Sequence, residues 1–364
     1  GDEFLVLVNE LDAPADAAAT ARQILATLLQ PIDLNDREFR ITASIGIAMF
    51  PDDASDASEL MKHADMAMYA AKEEGKNTFQ FYAPAMQERS LRRIEMENQL
   101  RRALDHDELS LAYQAKISLA SDQIIGAEAL LRWQSPELGE VTPSRFLPLA
   151  EELGLILPIG RWVLETACAQ NMAWQREGMN ALRMAVNLSP AQFADPELVS
   201  HLRTVLADTG MPAHLLELEI TETAVMRDVR SALARLTEIK ALGVVIAIDD
   251  FGTGYSSLTQ LRRLPVDTLK IDRSFVRDLS RNTDDQSIAR AIITMGRNLS
   301  LNVIAEGVET EDQRDFLRSQ ACDDMQGYYF SPPVDQAAFA DLVHAHGGHA
   351  TPEPPASGPG NPRS

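Results

Sequence analysis

The sequence predicts an α/β chain whose larger part closes as a (β/α)8 TIM-like barrel with one antiparallel strand. Two observations carry that prediction. From Leu109 to about Ala345, short apolar runs alternate with helical segments, giving about eight strands over roughly 240 residues. The runs also end in acids. Ile124–Ile125 leads to Glu128, Leu215–Leu218 to Glu219, Val244–Ile248 to Asp249 and Asp250, Leu269–Ile271 to Asp272, and Val303–Ala305 to Glu306. A further run, Met184–Val186, ends at the amide Asn187. Charges are rarely buried without partners. Acids at the C-terminal ends of several strands therefore imply one shared mouth, which is where barrels of this class do chemistry.

The expected barrel strands are Leu109–Gln114, Ile124–Trp133, Arg183–Leu188, Leu215–Thr221, Val244–Asp250, Thr268–Ile271, Asn302–Glu306 and Met325–Phe330. Helices are expected at Pro158–Arg176, Ala191–Thr209, Val229–Leu242, Asp284–Leu299 and Glu311–Gln320. The first two runs lie too close for a crossover helix, so they form a hairpin and one strand is antiparallel. Upstream, residues 1–83 read as a small α/β unit. Its strands fall at 1–9, Phe39–Phe50 and Asn77–Tyr82. Its helices fall at Asp16–Leu29 and Asp56–Lys72, the second with Leu60, Ala64, Met68 and Ala71 on one face. Residues 84–106, rich in Arg, Glu and Leu without Pro or Gly through Met86–Leu104, read as a linker helix with a solvated charged face. The barrel occupies 107–345. Residues 346–364 lack an apolar pattern and read as a disordered tail.

The net charge of −21 argues against binding a nucleic acid polymer, which demands a basic face, but leaves room for a small anion held through bound cations. Two cysteines, Cys168 and Cys322, without CxxC spacing make no disulfide framework, and a reducing cytoplasm is the expected setting. No apolar stretch has the length of a membrane span and no signal peptide is visible. Because residue 1 falls mid-strand by pattern, the chain is expected to be a fragment, with any sensor or membrane anchor upstream of it.

The acids at the mouth impose a physical condition. Two carboxylates about 4 Å apart repel by about 4 kcal/mol at an effective dielectric near 20. Divalent cations remove that conflict. The donors on offer are Glu128, Asn187, Glu219, Asp249, Asp250 and Glu306, all oxygen ligands with neither Cys nor His. That set favours a hard ion, Mg2+ or Mn2+, over zinc. Two ions about 3.5–4 Å apart form the clamp used for in-line attack on a phosphodiester. Arg132 can fork onto a phosphate. Lys270 can hold or polarise a nucleophilic water. The glycine-rich stretch Phe251–Ser257 can bend sharply and move.

These motifs resemble a known family. Glu128-Ala129-Leu130-Leu131-Arg132-Trp133 is the signature of EAL domains, and Asn187–Ser189, Glu219–Glu222, Asp249–Ser257, Leu269–Asp272, Ala305–Glu309 and Gln326–Phe330 follow in family order. The likeness spans about residues 93–342. Ala115, where the family usually has Pro, and Pro332, where a basic residue is common, are peripheral departures. The resemblance implies a phosphodiesterase that opens cyclic di-GMP to linear pGpG with two metal ions. Glu128, Asn187, Glu219 and Asp249 match the ligands of one ion, and Asp249, Asp250 and Glu306 those of the second. Lys270 matches the residue that contacts the catalytic water, and Gln326 one that supports the site. Gln114 and Arg132 match substrate contacts, Glu309 a secondary acid, and Glu222 the anchor of the loop after Asp250. Such barrels often dimerise through helices near the Asp pair, so a homodimer is expected. The alternative is a receptor or regulatory module that binds cyclic di-GMP without cleaving it.

The first 83 residues resemble the C-terminal half of a GGDEF domain. Gly1–Phe4, Ser44–Ile47 and Ala64–Lys72 carry the likeness, with Lys76 where the family usually has Arg. Glu3 and Lys72 match functional positions. With the first half missing, cyclisation of GTP is not expected. Other residues have plainer readings: Asp272 as a helix cap, Glu151 and Glu152 as helix-face charges, Trp133, Trp162, Met66 and Met68 as core, and His63 and His106 as surface histidines. The spacing of His344, His346 and His349 is read as incidental.

Overall fold

The computed structural model describes residues 3–11, 13–34, 37–252 and 258–346. The Thr253–Ser257 part of the expected mobile loop and the tail from 347, with His349, lie outside the described residues. The chain divides into two compact units, 1–99 and 100–364. The boundary falls inside the helix expected as a linker.

The first unit runs α1 (Pro14–Leu28), β1 (Ile32–Leu34), β2 (Arg37–Phe39), β3 (Ile45–Ile47), α2 (Ala57–Glu73), β4 (Phe79–Phe81) and most of α3 (Pro84–Ala103). Helix α2 starts where the Asp56 carboxylate accepts the Glu59 N–H at 2.9 Å. Strands β3 and β4 pair in parallel, and Gly46 allows β3 to approach α2 closely. A Cβ there would fall on the backbone of Ala64 and Met68.

Four expectations for this unit need correction. Residues 3–9 form no strand, because among the described residues no neighbouring strand pairs with them, and Phe4, Leu5, Val6 and Leu7 are exposed. The single strand expected at Phe39–Phe50 is two short ones, β2 and β3, with irregular backbone between. The buried face of α2 is His63, Ala67, Ala70 and Ala71; of the expected face Ala71 is fully buried, while Leu60, Ala64 and Met68 are half-buried. His63 is accordingly not a surface residue: its Nδ1 lies 2.5 Å from the Asp53 carbonyl oxygen and its ring stacks on Tyr82 at 3.9 Å.

The second unit contains β5 (Leu109–Ser118), β6 (Ile124–Ser135), β7 (Gly139–Val141), α4 (Pro143–Glu152), α5 (Ile156–Arg176), β8 (Arg183–Leu188), α6 (Pro190–Ala194), α7 (Leu198–Thr209), β9 (Leu216–Thr221), α8 (Glu222–Met226), α9 (Val229–Ala241), β10 (Val245–Phe251), α10 (Leu258–Leu261), β11 (Thr268–Ile271), α11 (Arg273–Arg277), α12 (Thr283–Asn298), β12 (Asn302–Ala305), α13 (Glu311–Ser319), β13 (Asp324–Met325) and α14 (Gln336–Ala345). One sheet runs in the order β5-β13-β12-β11-β10-β9-β8-β6-β7, and the extra β5–β6 pairing closes all but β7 into an eight-stranded barrel. Strand β5 is antiparallel to both its neighbours, as the short hairpin connection required; the other pairs around the barrel are parallel. The expected helix Ala191–Thr209 is broken at Asp195 into α6 and α7, and α4 and β7 were not among the expected elements, although Phe146, Leu149 and Ala150 give α4 one buried face. Strand β6 overruns the rim to pair with β7, so Glu128 sits mid-strand rather than at a strand end.

Cross-strand neighbours share a face, so the registers identify what points into the barrel. Gln114 pairs with Glu128, Lys116 with Gly126, Gly126 with Arg183, Glu128 with Ala185, Ala185 with Glu217, and Asn187 with Glu219. Glu219 pairs with Ala247, Ala247 with Thr268, Lys270 with Ile304, and Ile304 with Asp324. The interior is therefore largely polar, where barrels of this class usually carry Val, Ile and Leu. The apolar core lies on the outward strand faces, including Met184, Leu216, Leu218, Ile246, Ile248, Leu269 and Val303, all fully buried under the helices.

Asp324 lies low in this interior, accepting a hydrogen bond from Asn302 Nδ2 at 2.5 Å. Burial pushes its carboxyl up to about 6, with the Asp323 charge adding to the effect and the Asn302 bond opposing it. The folded chain thus keeps a proton there that the unfolded chain has already released. That stabilisation is complete below the unfolded value near 4 and is lost as pH rises through about 6. Asp324→Asn is expected to be more stable than wild type by on the order of 1–2 kcal/mol at pH 8, with a smaller gain at pH 5. Urea unfolding at the two pH values measures this; an equal gain at both would contradict it.

Candidate active site

The strands bring the expected acids together. Lys270, fully buried, lies at their centre. Its Nζ is 2.5 Å from Glu219 Oε2, 2.5 Å from Glu306 Oε1, 3.1 Å from Asp249 Oδ1 and 3.9 Å from Glu128 Oε2. Asn187 Nδ2 donates to Glu128 Oε1 at 2.5 Å, and Gln326 Nε2 donates to Glu128 Oε2 at 2.6 Å and to Gln114 Oε1 at 2.9 Å. One oxygen from each of Asp249, Asp250 and Glu306 lies within 4.8 Å of the others.

Adjacent residues on a regular strand point to opposite faces, so Asp249 and Asp250 need a break in the strand to converge. It is present. The β10–β11 register shifts between Ile248 and Phe251, and Asp250 takes the left-handed conformation with φ 53°. Just beyond, the Gly252 N–H donates to the Glu222 carboxylate at 2.9 Å. Glu222, almost fully buried, opens α8 directly below. Gly252 has φ 100°, and a Cβ there would meet Phe275 Cε2 at 2.9 Å. A side-chain acceptor and a position restricted to glycine thus hold the start of the segment that follows the Asp pair.

The remaining expected residues are placed differently. Arg132 shares the face of Glu128 four residues along β6; it is half-buried and donates to the Leu131 carbonyl at 2.9 Å. Glu309 is exposed, and its backbone N–H donates to Gln313 Oε1 at 2.7 Å. Asp272 caps α11, accepting the Ser274 N–H at 2.9 Å. Trp133 is core, donating to Glu108 Oε2 at 3.0 Å.

Two residues were missed from sequence. Lys116 Nζ lies 2.5 Å from Glu217 Oε1 and 2.6 Å from Glu219 Oε1, and Glu217 also faces Arg183 at 3.4 Å. The signal was available in the strand period: Lys116 is two residues from Gln114, and Glu217 two from Glu219, so each shares the face of a recognised site residue.

Among the described residues, the five carboxylates at the mouth, Glu128, Glu219, Asp249, Asp250 and Glu306, face the ammonium groups of Lys270 and Lys116. Burial alone would raise Glu219, but Lys116 and Lys270 outweigh it and hold the carboxyl down to about 2. Burial and the neighbouring Glu219 push Glu128 up. Glu306 is pushed up to about 8, by burial first and by Asp249 and Glu128, despite Lys270. Burial, then Asp249 and Asp272, lift Asp250 to about 6. The mouth is short of positive charge even with both lysines in place. An all-oxygen donor set with surplus negative charge fits hard divalent ions.

An interior lined with acids in an eight-stranded barrel with one reversed strand defines a class of protein, and comparison with known proteins places the chain in it. Residues 97–333 match the EAL domain, and the chain belongs to that family. Residues 1–78 match the diguanylate cyclase GGDEF domain. The bifunctional diguanylate cyclase/cyclic di-GMP phosphodiesterase MucR of Pseudomonas aeruginosa is 45% identical over 335 residues, covering 92% of this chain and 49% of that protein. The cyclic di-GMP phosphodiesterase PdeR of Escherichia coli is 40% identical over 339 residues, covering 93% and 51%. The chain thus spans about half the length of these curated relatives. Among solved structures, the PaMucR phosphodiesterase in complex with c-di-GMP is 45% identical with a TM-score of 0.66, covering 67% of this chain and 99% of that one. The FimX EAL domain from Pseudomonas aeruginosa bound to c-di-GMP is 29% identical with a TM-score of 0.61, covering 66% and 96%.

Divalent ions held by Glu306 and Asp250 would have to displace the protons that these raised carboxyls keep, so their affinity is expected to strengthen with pH. Between pH 6 and pH 8 the apparent Mn2+ dissociation constant is expected to fall by roughly tenfold or more. Calorimetric titration at both values measures it; a pH-independent constant would contradict the protonation of these carboxyls.

Proposed function

We propose that this chain hydrolyses cyclic di-GMP to linear pGpG, using two Mg2+ or Mn2+ ions. The supporting observation is the convergence of Asp249, Asp250 and Glu306 beside Glu128, Asn187 and Glu219, all oxygen donors around one lysine. Glu128, Asn187, Glu219 and Asp249 would hold one ion, and Asp249, Asp250 and Glu306 the other. When bound, such a pair would supply the charge that lowers the pKa of a water and steadies the phosphate oxygens.

The chain's own residues supply the rest. Lys270 Nζ is placed to hold the attacking water by hydrogen bond and to orient its lone pair. Gln326 fixes Glu128 and Gln114, so the acid nearest the expected substrate groups has one orientation. Arg132, on the same strand face as Glu128, has a guanidinium that can turn from the Leu131 carbonyl onto a phosphate. Gln114 completes the substrate contacts, and Glu309, exposed beyond β12, acts as an outer acid. Glu222 keeps the Asp pair in place through Gly252. A homodimer through the barrel and a cytoplasmic setting belong to the same reading. No helix among the described residues is long and apolar enough to cross a membrane.

Glu128→Ala is expected to lower turnover by orders of magnitude while melting within a few degrees of wild type. Chromatography of cyclic di-GMP incubated with Mg2+ or Mn2+ reads the result. Undiminished pGpG formation by the variant would refute the assignment. Tight binding of cyclic di-GMP by wild type without any pGpG would identify a receptor instead.

A further inference from the structure

Beneath the mouth lies a second layer of charge that the proposed chemistry does not use. Lys116, Glu217 and Arg183 point into the barrel one step below Glu128, Asn187 and Glu219. Lys116 and Glu217 are at most 4% exposed. The two oxygens of Glu219 are divided between the layers. Oε1 accepts from Lys116 below at 2.6 Å, and Oε2 accepts from Lys270 above at 2.5 Å. Glu217 in turn holds Lys116 at 2.5 Å and is backed by Arg183 at 3.4 Å. Among the described residues, no ion pair joins Lys116 to Asp249, Asp250 or Glu306.

From this division of contacts we infer that Lys116 is a positioning residue: it pins one oxygen of Glu219 so that the other faces the mouth in a single orientation. The inference rests on the proposed two-ion reading of the mouth. An unpinned glutamate carboxylate, free to turn about three side-chain torsions, samples several rotamers, and each ligand that must be ordered on binding weakens the site. Glu217 has a different task. It keeps the Lys116 ammonium charged and aimed, yet Lys116 retains Glu219 as a partner when Glu217 is gone. The two members of one buried pair should therefore differ in their effect on metal binding.

Removing Lys116 alone leaves two buried carboxylates facing each other, which can unfold the barrel. The test therefore uses Lys116→Met, the charge-neutral double variant Lys116→Met/Glu217→Leu, and Glu217→Gln. Mn2+ binding to substrate-free protein is read by electron paramagnetic resonance of the free ion. Wild type is expected to take up two ions. Both variants lacking Lys116 should show at least one of them weakened about tenfold or more, whereas Glu217→Gln stays within about threefold of wild type. In turnover assays, the variants lacking Lys116 should lose rate at limiting Mn2+, regain most of it at high Mn2+, and keep KM for cyclic di-GMP within about twofold. Wild-type Mn2+ affinity in a folded double variant would overturn the inference while leaving the proposed function standing. So would an equal loss from Glu217→Gln and the double variant, which marks general damage to the layer. A wild-type protein that binds no Mn2+ and makes no pGpG would overturn the proposed function and this inference with it.

Discussion

The mouth of this barrel holds more negative charge than its own cations answer, and the rest of the structure is arranged around that imbalance. Carboxylates of Glu128, Glu219, Asp249, Asp250 and Glu306 are drawn together with Lys270 and Lys116 among them. The consequence is uneven. Glu219, which touches both lysines, is held down to about 2, while Glu306, which touches one and is crowded by other acids, is pushed up to about 8. Unequal acidities of this kind within one buried cluster are common at functional sites.

The fold pays for this arrangement by moving its apolar core outward. Strand faces that meet the helices carry the fully buried aliphatic residues, while the inward faces carry Lys, Glu, Arg, Thr and Asp. The reversed strand β5 belongs to the same design. It runs against β6, so Gln114 and Lys116 reach the barrel interior from the opposite direction and meet Glu128 and Glu219 at two heights. The bulge at Asp250 completes it by turning two consecutive carboxylates toward one point.

Much of this was legible in the sequence because it rests on short-range patterns. Seven of the eight runs, their order and the hairpin that reverses β5 follow from spacing, whereas the eighth strand, expected at Met325–Phe330, is the two residues Asp324–Met325. What was not legible depends on pairing between distant strands. The short strand β7 that pairs with the end of β6 was not foreseen, because only the pairing defines it. The N-terminal segment reads as a strand, yet an apolar run becomes one only where a neighbour pairs with it, and residues 3–9 have none among the described residues. His63 reads as surface because a lone histidine carries no sign of the Tyr82 ring that covers it. Lys116 and Glu217 lay two residues from recognised positions, and reading the strand period onward from Gln114 and Glu219 would have found both.

The chemistry of this mouth turns on whether its surplus negative charge is answered by a pair of divalent ions. Crystals grown with Mn2+ and measured at the manganese absorption edge test this without reference to turnover. The expected result is two anomalous peaks sharing Asp249, one toward Glu128, Asn187 and Glu219, and the other toward Asp250 and Glu306. A well-ordered mouth with Mn2+ in the medium and no anomalous density between these side chains would contradict it.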